Sequence, residues 1–105
     1  MALIMITSWY PLNKVTEVAA KFLEGTRKYP QASYEKVLVS AVSSTKKGLR
    51  TIWITEIEEG KLDDCLKIIT KRMVEYFGIE GYTYKLETLM TLQEAMPMIG
   101  LAMPT

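Results

Sequence analysis

One short stretch of the chain carries two charged side chains at the ends of an apolar stripe, a pattern that can support proton transfer or anion binding. The alternating residues are Arg50, Ile52, Ile54 and Glu56, and alternate residues of a strand share one face of its sheet. If this face borders a cavity, Glu56 is a candidate general base and Arg50 a candidate ligand for an anionic group. Trp53, on the same strand, is a further candidate for ligand contact. The alternative is that both charges lie in solvent near strand ends or pair with charged residues across a dimer.

Aromatic side chains form the second group of candidates. Trp9 and Tyr10 end an apolar run immediately before a proline, where they can form the rim of a cavity and contact a ligand. Tyr34, Tyr82 and Tyr84 can join the cavity wall, where a tyrosine hydroxyl can hydrogen-bond an enolate or a phenol. Tyr84 is therefore a second catalytic candidate. The alternative for all five is packing in the core or at an interface, because aromatic side chains with one polar end favour such borders.

The remaining reactive side chains favour structural roles. The sequence contains no histidine, which removes the usual general base, the commonest metal ligand and the usual axial ligand of haem. We therefore expect neither a metal site nor a cofactor. Cys65, the only cysteine, lies on the apolar stripe of a predicted helix, and without a histidine to activate it we expect an inert packing thiol. Lys46, Lys47 and Arg50 are offset by nearby glutamates and predict a solvated loop.

The composition is typical of a soluble globular protein. The chain has 105 residues, 49% of them hydrophobic, and its 13 basic and 12 acidic side chains leave a formal net charge of +1. This balance argues against a dedicated nucleic-acid-binding surface. No stretch reaches the roughly 18 to 20 apolar residues that cross a bilayer. The single cysteine and the lack of a basic segment before the first apolar run favour a cytoplasmic protein.

Hydrophobic spacing predicts four strands and two helices in the order βαββαβ. The first helix is expected to follow an N-cap at Asn13 and to stop between Gly25 and Pro30, and the second to begin at Leu62 and end before Gly78. A polar stretch with glycine at its end predicts a hairpin between the second and third strands. The four strands are expected over residues 2–10, 34–43, 49–58 and 82–90.

The C-terminal residues predict a short helix and an apolar tail. Thr91 and Glu94 fit a capping box, and Pro97 limits the helix to one or two turns. Because only Glu94 is charged from residue 88 onward, we expect the tail to dock, either on a partner chain, where it can close a cavity mouth, or on its own subunit. The chain is thus predicted to be one domain, 1–105, with a core over 1–91 and the helix and tail over 92–105.

The predicted element order resembles the ferredoxin-like fold, in which both helices cover one face of a four-stranded antiparallel sheet. The strands are nevertheless apolar on both faces, as residues 3–6, 37–39 and 52–54 show. Each such side chain left in water forgoes about 1.5 to 3 kcal/mol relative to burial. A second copy of the chain is the simplest cover for the open face, so the sequence predicts a homodimer.

Element order, two-faced strands and the short C-terminal helix make the chain similar to the dimeric α/β-barrel superfamily over residues 2 to about 90. The resemblance implies two ferredoxin-like protomers whose open sheet faces meet and enclose a cavity. The superfamily includes cofactor-free monooxygenases of aromatic substrates, haem-dependent enzymes, lactone isomerases and ligand-binding proteins. Its haem branches need a coordinating histidine, which this chain lacks.

The sequence thus predicts an α+β, ferredoxin-like homodimer that binds a small, largely apolar molecule in a cavity between its sheet faces, without a cofactor. The alternative is a cofactor-independent enzyme, monooxygenase-like or isomerase-like, that acts on a small carbonyl or phenolic substrate with Glu56 or a tyrosine as proton acceptor. A regulatory sensor module is the third hypothesis. The dimer can assemble further, and neither nucleic acid nor a membrane is an expected partner.

Overall fold

Four strands and two long helices follow one another in the predicted order in the computed structural model, which describes residues 2–100. Two one-turn 3-10 helices, Leu12–Lys14 and Met96–Ile99, accompany them. The predicted element bounds agree with the observed ones to within about three residues. The elements are β1 (Ala2–Tyr10), α1 (Val15–Lys28), β2 (Glu35–Thr45), β3 (Gly48–Ile57), α2 (Leu62–Val74), β4 (Thr83–Leu89) and α3 (Leu92–Ala95).

The strands form one antiparallel sheet in the order β2-β3-β1-β4. The two central strands, β1 and β3, pair along their whole length from Ala2 opposite Ile57 to Tyr10 opposite Leu49. This arrangement confirms the ferredoxin-like α+β fold. The register of β2 shifts between Val37 and Val39, which is the signature of a β-bulge on this edge strand.

The two faces of the sheet have different surroundings. Ile4 and Ile57 point to the face that the helices cover, where they pack with Cys65, Ile69 and Met73 of α2. We call this the inner face. Directly opposed residues of antiparallel strands share a face, so the register places another set of apolar side chains on the outer face, away from both buried clusters. The central members of this outer set are Leu3, Met5, Ile52 and Ile54.

Two local predictions need correction or refinement. Asn13 does not cap α1, because it lies inside the short 3-10 turn, and neither that turn nor α1 has a side-chain cap. The β2–β3 connection is shorter than the predicted five residues, since Thr45 already pairs with Gly48. Gly48 has a φ of +153°, and a Cβ there would collide with the Tyr10 carbonyl oxygen, so the close approach of β3 to the end of β1 requires glycine.

The C-terminal segment, residues 90–100, begins as predicted. The Thr91 hydroxyl accepts a hydrogen bond from the Glu94 amide at 3.2 Å and donates one to the Glu94 carboxylate at 2.8 Å. The helix is limited to α3 and the following 3-10 turn, as Pro97 predicts. The rest of the predicted tail, residues 101–105, lies outside the described residues. Within residues 2–100, no helix has the length and apolarity needed to cross a membrane.

Candidate functional site

A cavity of about 500 Å³ lies between the inner face of the sheet and the two long helices. Alternate residues of β1 form its floor, because the period of a strand turns Ile6, Ser8 and Tyr10 to the same side. One wall comes from α1, whose apolar stripe includes Val18 and Phe22. The volume falls in the range of about 300 to 1,000 Å³ that is usual for small-molecule sites.

Three stacked tyrosines give the cavity an aromatic end. The ring centroids of Tyr76 and Tyr82 are 4.8 Å apart with an interplanar angle of 7°, and Tyr10 also stacks with Tyr82, with centroids 6.0 Å apart and an interplanar angle of 19°. The Tyr82 hydroxyl donates a hydrogen bond to Ser8 Oγ at 2.9 Å. Since Ser8 accepts this bond, its own hydroxyl proton remains available to a molecule in the cavity.

These tyrosines act as neutral hydrogen-bonding groups at physiological pH. Burial raises the pKa of Tyr82 to about 12, with a smaller opposing effect from the hydrogen bond to Ser8. Burial also raises the pKa of Tyr76 and of Tyr10 above the ordinary value of 10.0. A phenol of raised pKa keeps its proton, so this end of the cavity offers hydroxyl groups and aromatic faces rather than a base.

The opposite end of the cavity is closed by a buried ion pair. The Glu35 side chain is only 2% exposed. Its carboxylate accepts hydrogen bonds from Arg72 Nη1 at 3.2 Å and from Arg72 Nη2 at 3.3 Å. The same guanidinium donates from Nε to the Tyr29 carbonyl oxygen at 2.8 Å and from Nη2 to the Pro30 carbonyl oxygen at 2.9 Å. All three guanidinium nitrogens are therefore occupied, and Arg72 fixes the α1–β2 loop to α2 instead of presenting a free charge.

Cys65 belongs to this polar end and is fully buried. Burial, the charge of Glu35 and a hydrogen bond to that carboxylate raise the pKa of the thiol to about 12. The thiol is therefore protonated and shielded, which is the opposite of what a nucleophilic cysteine needs. The Tyr34 hydroxyl, next to this cluster, is buried without a hydrogen-bond partner among the described residues.

The mouth of the cavity is apolar and open. Phe22 of α1 and Trp53 of β3 meet edge to face with centroids 6.0 Å apart. Val42 of β2 also lines the cavity and is 62% exposed, and Phe22 is 43% exposed. We call Phe22, Val42 and Trp53 the mouth residues.

The structure brings only some of the sequence-predicted site residues together. Tyr10 and Trp53 line the inner-face cavity. Trp9 and Arg50 are directly opposed across β1 and β3 on the outer face, as Leu3 and Glu56 are. Within one protomer, Arg50 and Glu56 are therefore separated from the cavity by the thickness of the sheet.

The two remaining candidates lie on the inner side but away from the cavity lining. Tyr84 is opposed to Ser8 at the β4 edge, with its ring 6.4 Å from that of Tyr82. Tyr34 packs against the core cluster. Glu56 and Tyr84, the two catalytic candidates, point to opposite faces and cannot act on one molecule within a single protomer.

Several lining residues carry no functional signal in the sequence. Glu35 and Arg72 were missed, although Arg72 lies three residues after Ile69 and hence on the apolar stripe of α2. A charged residue at such a position signals a buried partner, but only the fold identifies Glu35. Among residues 2–100, no group of three or more cysteine or carboxylate side chains is arranged to hold a metal ion.

Comparison with known proteins identifies the fold alone. No protein-family model matches the sequence, and no curated protein does. A Deinococcus radiodurans protein, provisionally assigned as an antibiotic biosynthesis monooxygenase, superposes with a TM-score of 0.60 at 12% identity, covering 87% of this chain and 92% of that one. The de novo designed protein Foldit4 superposes with a TM-score of 0.57 at 9% identity, covering 86% and 96%. A natural and a designed protein thus share this fold at identities too low to transfer an activity.

Proposed function

We propose that this chain is a homodimeric domain that binds one small, largely apolar molecule in the inner-face cavity of each protomer. The observation that carries the proposal is the cavity itself, about 500 Å³ of mostly apolar wall with a few hydroxyl groups at one end. Small-molecule sites combine these two features, because apolar surface supplies affinity and a few polar groups fix orientation.

The lining further defines the ligand. Arg72 donates hydrogen bonds to Glu35 and to two carbonyl oxygens. Neither charge of the Arg72–Glu35 ion pair is therefore available to bind a charged ligand. Tyr82 and Ser8 supply a neutral hydroxyl pair. A molecule with an apolar body and one hydrogen-bond acceptor matches this lining.

The homodimer is supported by the outer face of the sheet. Leu3, Met5, Ile52 and Ile54 lie side by side on a face that neither long helix covers. These side chains are already partly buried in one protomer, so covering them with a second copy recovers part of the about 1.5 to 3 kcal/mol that complete burial of each contributes. The Deinococcus radiodurans protein shares the same arrangement of sheet and helices. The cavity proposed here lies on the opposite side of the sheet from the inter-subunit cavity that the sequence suggests, so the two do not compete for space.

The binding proposal is tested by filling the cavity. Ala19 lines it, whereas Ala20, its neighbour on α1, does not. Ala19→Phe should weaken binding of the fluorescent dye 8-anilinonaphthalene-1-sulfonate by about tenfold or more, which corresponds to about 1.4 kcal/mol. Ala20→Phe adds the same ring outside the cavity and should leave the affinity unchanged. Equal dye affinity for both variants, with equal stability in urea, would contradict the proposal.

A cofactor-independent monooxygenase is the second candidate, favoured by the provisional assignment of the Deinococcus radiodurans protein. Such chemistry on a phenol needs a group that accepts the phenolic proton. In the cavity the Glu35 carboxylate is held by Arg72, and burial keeps Tyr82 protonated, so the lining favours binding over catalysis. Oxygen consumption with a set of naphthols separates the two. Uptake that exceeds the protein-free rate and disappears in Ala19→Phe would establish the enzyme.

A further inference from the structure

We infer that the C-terminal segment, residues 90–100, of one protomer packs over the mouth residues of its partner, so that each cavity is completed by the other chain. The inference rests on the homodimer proposed above. It identifies the C-terminal segment of the partner chain as the element that covers the open mouth of the cavity.

The segment presents apolar side chains that its own protomer leaves in water. Leu92 is 65% exposed, Met98 72% and Ile99 71%, and none of them joins either core cluster. The segment is nevertheless folded, since the Thr91 cap and the α3 and 3-10 turns give it a defined shape. A preformed apolar helical element loses little conformational entropy when it docks.

The mouth has matching chemistry. Its residues are apolar, and Val42 and Phe22 keep 62% and 43% of their surface exposed. Between residues 88 and 100 the only charged side chain is Glu94. Contact between the C-terminal segment and the mouth residues therefore buries apolar area on both sides and desolvates few charged groups.

The segment cannot reach Val42, the part of its own protomer's mouth that lies on the β2 edge strand. It leaves β4 after Leu89, which is level with Leu3, whereas Val42 on β2 is level with Ser8. Five residues along the strands and three strand spacings across the sheet put these corners about 22 Å apart. Ten residues in mainly helical turns extend only about 15 Å.

A two-fold axis removes this separation. Consider a two-fold axis that lies between two stacked outer faces and is inclined at about 45° to the strands. This axis places the Leu89 end of one protomer's β4 over Val42 of the other protomer. The strands of the two sheets then cross at nearly right angles. The partner's segment then emerges beside the β2 edge, one sheet spacing of about 10 Å beyond the outer face, and its length of about 15 Å is enough to pass that edge and reach Val42. Because the operation is symmetric, both mouths are covered at once and no open-ended chain of contacts forms.

Disulfide trapping between separately purified variants tests the inference. In a Cys65→Ala background, Ile99→Cys in one protein is mixed with Val42→Cys in a second that carries a size tag, so that a mixed disulfide can form only between chains. The control pairs Ile99→Cys with Lys67→Cys, an exposed position on α2. Under mild oxidation the 99–42 pair should form roughly 100-fold faster than the 99–67 pair, because docking holds the first two thiols together at a high effective concentration, whereas the second two are held apart in the same dimer.

The outcomes separate the two proposals. Equal trapping rates at positions 42 and 67, in a protein that sediments as a dimer, would overturn the docking and leave the homodimer standing. A monomeric sedimentation profile at micromolar concentration would overturn both. Fast trapping at position 42 that is lost when the protein is diluted below its dimer dissociation constant would establish that the segment crosses between chains.

Discussion

Arg72 of α2 and Glu35 at the start of β2 form a two-point ion pair, with N–O distances of 3.2 and 3.3 Å, at the buried end of the cavity. The Glu35 side chain is 2% exposed and that of Arg72 19%. The pair and the two carbonyl oxygens that Arg72 binds connect α2 to the loop that leads from α1 into the edge strand. This connection sets the distance between helix layer and sheet at that end, and hence the shape of the cavity.

The first prediction concerns this pair. Arg72→Met should lower the free energy of unfolding by about 3 to 5 kcal/mol, since it leaves a carboxylate buried without a partner. Urea denaturation followed by circular dichroism measures the change. Lys71→Met, at the exposed neighbouring position, should change stability by less than about 0.5 kcal/mol. The double variant Arg72→Met with Glu35→Gln should recover part of the loss, and its failure to do so would argue against a buried charge as the cause.

The second prediction is a loss of stability at alkaline pH. Burial raises the pKa of Tyr82 to about 12 in the folded protein, against 10.0 for an unperturbed tyrosine. Below pH 10 the phenol is protonated in both states and contributes no pH dependence. Between about pH 10 and 12 the unfolded state releases the proton first, so the free energy of unfolding falls with rising pH, by at most about 1.4 kcal/mol per pH unit for this group.

Urea denaturation between pH 9 and 12 tests the sign and size of that slope. Tyr82→Phe should make the decline shallower, because one of the groups responsible has been removed. Tyr29→Phe is the control, since Tyr29 lies outside the tyrosine stack. An equal slope in the Tyr82→Phe variant and the unmodified protein would show that Tyr82 ionises alike in both states.

The third prediction concerns the thiol of Cys65. It is fully buried and its pKa is raised to about 12, first by burial and then by Glu35. A thiol reagent such as Ellman's reagent should therefore react at pH 8 at least about 1,000-fold more slowly with the folded protein than with the urea-unfolded chain. Rapid labelling of the folded protein would mean that α2 opens readily from the sheet.

The fourth prediction addresses the outer face. Ile54→Asp places a charge at the centre of the proposed subunit contact in both chains and should raise the dimer dissociation constant by about 100-fold or more. Val74→Asp makes a comparable change at an exposed position on α2 and should leave self-association unchanged. Sedimentation velocity across a concentration series measures both. A dimer of undiminished affinity in Ile54→Asp would place the subunit contact elsewhere.

The amino-acid sequence by itself determined the order and nearly all the bounds of the elements. The apolar run at residues 52–54, the 3.6-residue spacing from Leu62 and the capping box at Thr91 are local patterns, and local patterns are what a sequence displays directly. The ferredoxin-like topology followed from that order because few arrangements of βαββαβ bury the helix stripes. The prediction that Asn13 caps α1 was wrong, because the chain makes a 3-10 turn at this residue before α1 begins.

Only the tertiary structure decided where the cavity lies and which side chains line it. The register of β1 against β3 sends Tyr10 inward and Arg50 outward, a choice that depends on long-range strand pairing. Glu35 and Arg72 are 37 residues apart in sequence, and no local sequence motif predicts that they form an ion pair. Strand and helix periods say which residues share a face, but which face meets the helices is settled by packing across the whole sheet.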